Sequence, residues 1–177
     1  MKRITLLFAL ATLASIIVFA APASQHAGQN GSQNAAPVFV KTIPPGYRDW
    51  RLISVAREEG DLKDIRAILG NEVAIKSYRE ATLPFPDGTI IARLAWSHDV
   101  SEENNKTFGR DQSFVAGAAK NGVQFMVKDS KKYAATGGWG FAHFDNGKSA
   151  DDAMLNTCFA CHQAVKDRDL VFTRYAP

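Results

Sequence analysis

The chain has only two cysteines, Cys158 and Cys161, and they stand close together near its C-terminal end. A structural zinc site usually takes four ligands from two separated pairs, and there is no second cysteine pair. A thioredoxin-like redox pair follows an early strand of a βαβ unit, a pattern that these residues lack. The number and the position of the cysteines therefore argue against a structural zinc site and against a thioredoxin-like redox site. A plain disulfide stays open, although it leaves the adjacent His162 unexplained.

An excess of charge of one sign is also lacking. The 21 Lys and Arg residues face 18 Asp and Glu residues, and removal of Lys2 and Arg3 with an N-terminal leader lowers the basic count to 19. Nucleic-acid-binding domains usually carry a clear basic patch or excess. Because the sequence has neither, we expect no nucleic-acid partner.

What the sequence does have is Cys158-Phe159-Ala160-Cys161-His162, the attachment signature of a c-type haem. Each thiol can add across one vinyl group of the porphyrin, and two intervening residues match the separation of the vinyls. The histidine then lies under the iron as its proximal ligand, bound through one nitrogen of a neutral imidazole. The sequence predicts one covalent haem c held by Cys158, Cys161 and His162, with His162 as the iron ligand.

The first 36 residues are typical of an export leader. Lys2 and Arg3 precede an apolar run, 4–21, and Ala21-Pro22-Ala23 has the pattern of a signal-peptidase site. We predict a signal peptide over 1–23, a flexible polar leader over 24–36 and a haem domain over 37–177. An uncleaved anchor is the alternative, because the run approaches the ~18 residues of a spanning helix. Since bacteria attach haem to this motif outside the cytoplasmic membrane, we expect a periplasmic protein.

The domain over 37–177 alternates β-prone runs with a few short helical ones. This pattern predicts an α+β fold, mainly an antiparallel β-sheet with a few short helices and the haem motif at its C-terminal end. Strands are expected over 50–56, 89–97, 122–128, 139–144 and 170–175, with a short apolar run over 66–69. Helices are expected over 71–81, 131–135 and 153–162, and polar loops over 57–64 and 98–113.

A second protein ligand for the iron is hard to find in the sequence. Met154 is too close to the haem motif to reach the opposite haem face, which leaves Met126, His98 and His143. Met126 lies in a strand and is typical of a core-filling residue. His143 shares a strand face with Trp139 and is typical of a satisfied or partly exposed histidine, and His98 begins a polar loop. We therefore expect a five-coordinate iron with an open distal position.

Six segments in order along the domain carry a family resemblance. They are Tyr47–Trp50, Phe85–Thr89, Val127–Lys131, Trp139–Phe141, the haem motif and Leu170–Tyr175. Together they resemble the cytochrome P460 family, which is related to cytochrome c′-beta. The resemblance implies a dimeric, mainly antiparallel-sheet protein with one c-type haem, a proximal histidine and a vacant distal position. It implies hydroxylamine oxidation for P460 proper, and binding of nitric oxide or carbon monoxide for the c′-beta relatives.

The sequence departs from this family at Arg93. Family members carry a lysine cross-linked to the porphyrin, four residues beyond the threonine that corresponds to Thr89. A guanidinium stays protonated and is a poor nucleophile, so we expect no such bond and little of the hydroxylamine oxidation that depends on it.

Strand alternation independently indicates on which face of the sheet Arg93 lies. Ile90, Ala92, Leu94 and Trp96 form one apolar face, and Arg93 points to the other, mixed face. Alternation alone leaves solvent exposure open. The family position favours Arg93 as a candidate distal residue. There its positive charge would attract anions such as nitrite, or its guanidinium would donate a hydrogen bond to nitric oxide.

These features favour an exported mono-haem cytochrome whose open iron binds, oxidises or reduces a small nitrogen species such as hydroxylamine or nitric oxide. Whether it is an enzyme stays open. The alternatives are a non-catalytic gas-binding or sensing protein and a simple periplasmic electron carrier. The expected partners are the nitrogen species or a diatomic gas, a redox-partner cytochrome and a second copy in a homodimer.

Overall fold

A computed structural model describes Phe39–Pro177, apart from Glu59, Leu62, 116–118, Lys120 and Asn121. The predicted signal peptide (1–23) and leader (24–36) lie outside the described residues. Within that described part, no helix has the length and apolar character needed to cross a membrane.

The described residues form one seven-stranded antiparallel sheet. Its strands are β1 (Arg51–Arg57), β2 (Asp64–Gly70), β3 (Ile90–Val100), β4 (Ser113–Val115), β5 (Val123–Lys128), β6 (Trp139–Asp145) and β7 (Lys148–Ser149). Their spatial order is β1-β2-β3-β5-β6-β7, and β4 pairs with the far end of β3. The predicted α+β class with mainly β content is confirmed.

Three short α-helices accompany the sheet: α1 (Glu72–Arg79), α2 (Glu102–Phe108) and α3 (Asp152–His162). Asn71 begins α1 as expected, because its side chain accepts a hydrogen bond from the Ala74 amide at 3.0 Å. Asp151 caps α3 in the same way through the Met154 amide at 2.8 Å. The predicted helix over 153–162 is confirmed, and its last residue is the histidine of the haem motif.

The expectation of a polar loop over 98–113 is wrong. Strand β3 continues to Val100, and the Ser101 hydroxyl then accepts from the Asn104 amide at 3.3 Å to begin α2. Gly109 ends the helix in the left-handed conformation, with φ 64°. Serine at the start and glycine at the end are ordinary helix-boundary residues, so local capping outweighs the low hydrophobicity of this segment.

The expectation of a strand over 170–175 is also wrong. Asp169 and Leu170 both have positive φ, 51° and 64°, a left-handed conformation that is incompatible with an extended strand beginning at Leu170. The C-terminal segment makes one backbone hydrogen bond to β1, from the Ala176 amide to the Ile53 carbonyl at 2.9 Å. This bond falls at Ile53, the residue without a partner on β2 where the β1–β2 register shifts between Leu52 and Ser54.

Two further segments also differ slightly from the predicted ones. The helix expected over 131–135 is a turn followed by a short 3-10 helix, Ala134–Thr136. The charged loop expected over 57–64 is narrower, because Arg57 belongs to β1 and Asp64 to β2. The apolar run 66–69 thus lies inside β2.

Each face of the sheet packs on its own apolar cluster. One cluster contains the predicted apolar face of β3, with Ala92 and Leu94 against Phe125 and Phe144. The opposite face contributes Ile68, Ile91, Met126 and Phe141, which pack with α1 and the C-terminal segment. Burying each large apolar side chain contributes about 1.5–3 kcal/mol. The second face also carries the candidate site.

Candidate haem site

A cavity of about 580 Å³ lies on this second face of the sheet. Cys158, Cys161 and His162 line it from α3, and Arg93 lines it from β3. Phe141 and Phe172 add aromatic walls. The volume falls within the ~300–1,000 Å³ typical of cofactor and ligand sites. The structure thus brings the three residues of the haem motif and the candidate distal residue to one cavity.

Helix α3 aims both thiols at this cavity. Cys158 and Cys161 are three residues apart, a spacing that places side chains on one helix face. Both thiols are free, Cys158 half-buried and Cys161 exposed, so the disulfide alternative does not describe this structure. Burial raises the pKa of the Cys158 thiol.

The His162 imidazole is oriented by a backbone carbonyl. Its Nδ1 lies 2.6 Å from the Leu170 oxygen, and because a carbonyl can only accept, Nδ1 carries the proton. The Nε2 lone pair is therefore free for a metal. Burial lowers the pKa of His162, and the hydrogen bond to Leu170 opposes this shift. The neutral ring that an iron ligand requires is thus favoured.

Ring packing fixes the same imidazole from the sides. The ring centroid lies 5.2 Å from that of Phe141 and 5.1 Å from that of Phe172. Two thiols and an oriented neutral imidazole on one cavity are the donor set that a c-type haem needs. The residues present therefore fit this group.

Arg93 belongs to a polar network on the cavity wall. Its Nη2 donates to Asp64 Oδ2 at 3.3 Å and its Nη1 donates to Gln124 Oε1 at 3.1 Å. Asp64 is fully buried, and its other oxygen accepts from Arg66 Nε at 2.7 Å. Burial lowers the pKa of Arg93, the neighbouring Arg66 adds to this, and Asp64 opposes it.

The charges of this network balance. Arg66 also donates from Nη2 to Glu58 Oε2 at 3.0 Å, so two guanidinium groups meet two carboxylates. Arg93 is therefore not an isolated positive charge facing the cavity. It is a fixed hydrogen-bond donor, with three of its five N–H groups not used by Asp64 and Gln124.

The three residues considered as a second protein ligand for the iron, Met126, His143 and His98, lie in different parts of the sheet. Met126 is in the core cluster as expected, and it also lines the cavity, on the strand next to Arg93. His143 is satisfied by Gln124, whose Nε2 lies 3.3 Å from its Nδ1. His98 is in β3 rather than at the start of a loop, is half-buried, and is not among the cavity-lining residues.

Comparison with family models assigns the domain as a whole. Residues 44–173 match Cytochrome P460. The chain belongs to the cytochrome P460 family. This family consists of haem cytochromes, which agrees with the donor set on α3. A search of curated proteins found no match to the chain.

The described part of the cavity wall offers no lysine that could take the place of the cross-linking lysine implied by the family resemblance. Among the described residues that line the cavity, the cationic side chains are Arg66, Arg93 and Arg174, and none is a lysine. Lys76 is exposed on α1. Lys128 is buried in an ion pair with Asp169, 2.7 Å from Nζ to Oδ1.

Asp64, Arg66 and Gln124 are site residues that sequence reasoning missed. Asp64 and Arg66 alternate with Ile68 on β2, which signals a shared face once β2 is recognised as a strand. Gln124 pairs with Arg93 across β3 and β5. That pairing depends on sheet register, for which no local pattern exists. The Leu170 carbonyl is a backbone group and leaves no trace in the sequence.

Proposed function

We propose that this cytochrome P460 family member binds one haem covalently through Cys158 and Cys161, with His162 as the iron ligand. We further propose that a small nitrogen species, such as nitric oxide or hydroxylamine, occupies the remaining cavity beside Arg93. The observation that carries the proposal is the single cavity shared by both thiols, the His162 imidazole with Nε2 free, and Arg93. When bound, the haem supplies a coordination position and a redox centre from which an external cytochrome can accept electrons.

The protein's own part is to orient ligands and donate hydrogen bonds. The Leu170 carbonyl and two aromatic rings hold His162 in one orientation. Arg93, held by Asp64 and Gln124, offers its remaining N–H groups to a bound nitrogen oxide or anion. A charge-assisted hydrogen bond of this kind is stronger than a neutral one, and the half-buried position of Arg93 lowers the effective dielectric around it.

Binding is proposed as the main activity, ahead of hydroxylamine oxidation. The support is chemical: Arg93 stands where the family has its cross-linking lysine, and a guanidinium is a poor nucleophile. Export to the periplasm and assembly into a homodimer belong to the same proposal. Their support is the N-terminal sequence pattern, Lys2 to Ala23, and the family assignment.

An electron carrier is the second candidate function, because Met126 lines the cavity. A methionine thioether on the iron would close the distal position and favour electron transfer over ligand binding. This alternative and the main proposal predict different responses to added ligands.

The experiment is to load the protein with haem, reduce it and titrate it with nitric oxide, then to assay hydroxylamine oxidation with an external electron acceptor. The proposal predicts one nitric oxide bound per haem and little hydroxylamine turnover. Rapid, sustained hydroxylamine oxidation would contradict the binding role. A ferrous spectrum unchanged by nitric oxide would support the electron carrier.

A further inference from the structure

The turn at Asp169 and Leu170, which follows α3 and a short 3-10 helix, Gln163–Arg168, is held in an unfavourable backbone conformation. Asp169 has φ 51° and ψ 43°, and Leu170 has φ 64°. Residues other than glycine rarely adopt this region, and a leucine there is a clear outlier. The turn immediately precedes the Leu170 carbonyl that accepts the proton of His162 Nδ1 at 2.6 Å. Such a conformation persists only where its surroundings hold it.

The surroundings hold it through the Asp169 carboxylate. Lys128 Nζ lies 2.7 Å from Oδ1 and 2.9 Å from Oδ2, and the Phe85 amide donates to Oδ2 at 2.9 Å. The ion pair is almost completely buried, with side-chain exposures of 7% for Lys128 and 12% for Asp169. Lys128 Nζ also donates to the Gly137 carbonyl at 3.1 Å and lies 5.0 Å from the Trp139 ring centroid.

These contacts connect the turn to the β-sheet. Lys128 is the last residue of β5, and its own amide donates to the Thr89 carbonyl at 2.9 Å. A continuous set of contacts therefore runs from the sheet through Lys128 and Asp169 to the Leu170 carbonyl and His162 Nδ1. The Lys128–Asp169 pair is also outside the cavity lining, so it cannot touch a cavity ligand directly.

We propose that Lys128 and Asp169 are positioning residues for the iron ligand. Their ion pair fixes the turn at 169–170, and the turn fixes the carbonyl that receives the His162 proton. This inference rests on the proposed haem function. A histidine that donates strongly from Nδ1 is a more basic ligand through Nε2, and such outer contacts tune the bound metal.

The direction of the effect follows from this chemistry. A more basic imidazole favours the ferric over the ferrous state and strengthens the bond from Nε2 to iron. Loss of the ion pair should therefore raise the haem reduction potential and lower the iron–histidine stretching frequency of the ferrous protein. A pair that merely stabilises the fold would change the unfolding midpoint and leave both spectroscopic quantities unchanged.

The test uses the haem-loaded protein and the double variant Lys128→Met/Asp169→Asn. Both side chains become neutral together, so no unpaired charge stays buried, and asparagine tolerates the left-handed conformation. The control is Lys41→Met/Asp152→Asn, which makes the same changes in an exposed ion pair at the start of α3, 3.5 Å from Nζ to Oδ1. The measurements are haem content, reduction potential and the resonance Raman iron–histidine frequency.

We expect covalent haem in all three proteins, with a higher potential and a lower frequency only in the Lys128→Met/Asp169→Asn variant. A loaded double variant with both quantities unchanged would overturn the inference. If that variant does not bind haem, the test uses Lys128→Arg, which keeps the positive charge but moves the N–H donors away from Asp169. The inference then requires a smaller rise in reduction potential and a smaller fall in iron–histidine frequency. Absence of covalent haem from the unsubstituted protein would instead refute the proposed function itself.

Discussion

Arg93 and Asp64 form an ion pair on the wall of the cavity, with 3.3 Å between Nη2 and Oδ2 and no exposed surface on Asp64. The carboxylate is shared with Arg66, which fixes both guanidinium groups. This arrangement changes the expected role of Arg93. Its charge is balanced inside the protein, so its influence on a cavity ligand is directional, through hydrogen bonds, more than through a net positive field.

The first prediction concerns Arg93→Leu. Removing the donor should weaken nitrite binding by about ten- to a hundredfold, because a hydrogen bond to a charged group contributes roughly 1.5–3 kcal/mol. Carbon monoxide is a poor hydrogen-bond acceptor, so its affinity should stay nearly unchanged. Optical titration of the haem-loaded protein measures both affinities. Arg110→Leu, at an exposed arginine away from the cavity lining, is the control. Equal effects on both ligands, or none, would show that Arg93 does not contact the ligand.

The second prediction concerns Asp64→Asn. Removing the buried negative charge leaves Arg93 and Arg66 less compensated, while Gln124 still accepts from Arg93 Nη1 and keeps the guanidinium in place, so nitrite should bind several-fold more tightly. The same change removes charge-assisted hydrogen bonds and should lower the free energy of unfolding by about 1–3 kcal/mol. Glu58→Gln, at the more exposed partner of Arg66, should have a smaller effect on both quantities. Weaker nitrite binding in a folded Asp64→Asn protein would contradict the charge balance described for this network.

The third prediction concerns covalent attachment. Cys158→Ala/Cys161→Ala should abolish haem staining on a denaturing gel, because both thiols of the chain are then missing. Each single variant should keep one thioether and a stained band. Met154→Leu, on the same helix and outside the cavity lining, is the control and should stain like the unsubstituted protein. Haem that extracts fully from the unsubstituted protein into acidified organic solvent would rule out thioether bonds.

The fourth prediction concerns the porphyrin cross-link. Among the described residues of the cavity wall the cationic side chains are arginines, so haem should be attached only to the peptide that contains Cys158 and Cys161. Proteolysis followed by mass spectrometry of haem-bearing peptides measures this. Arg93→Lys is the informative companion variant, because it introduces the lysine that the family resemblance implies at that position. A second haem-bearing peptide in the unsubstituted protein would contradict the expectation.

Much of the fold could be predicted from local patterns. Alternation identified the apolar face of β3 that contains Ala92 and Leu94, and Asn71 and the haem motif marked α1 and α3. The predictions for α2 and for the C-terminal segment were wrong because hydrophobicity and β-propensity competed there with helix caps and turns. The low hydrophobicity of 98–113 concealed the Ser101 cap of α2. The β-prone segment 170–175 forms no strand, and it begins with a left-handed turn at Asp169 and Leu170 instead of extended backbone.

Part of the candidate site could likewise be predicted from local sequence, and part of it depends on the fold. Cys158, Cys161 and His162 are contiguous, so their spacing alone indicated the chemistry. The ion pair between Arg93 and Asp64 joins residues 29 positions apart and depends on the pairing of β2 with β3. The Leu170 carbonyl depends on backbone geometry alone. Neither relationship leaves a pattern that one sequence can reveal.

The most direct test of the central claim is the optical spectrum of the haem-loaded ferrous protein, recorded before and after addition of carbon monoxide. We predict a five-coordinate, high-spin spectrum that changes to a six-coordinate carbon monoxide complex with one ligand per haem, and the same behaviour for Met126→Leu. A low-spin ferrous spectrum that does not respond to carbon monoxide, and that becomes responsive only in Met126→Leu, would show that Met126 closes the site and would contradict the account.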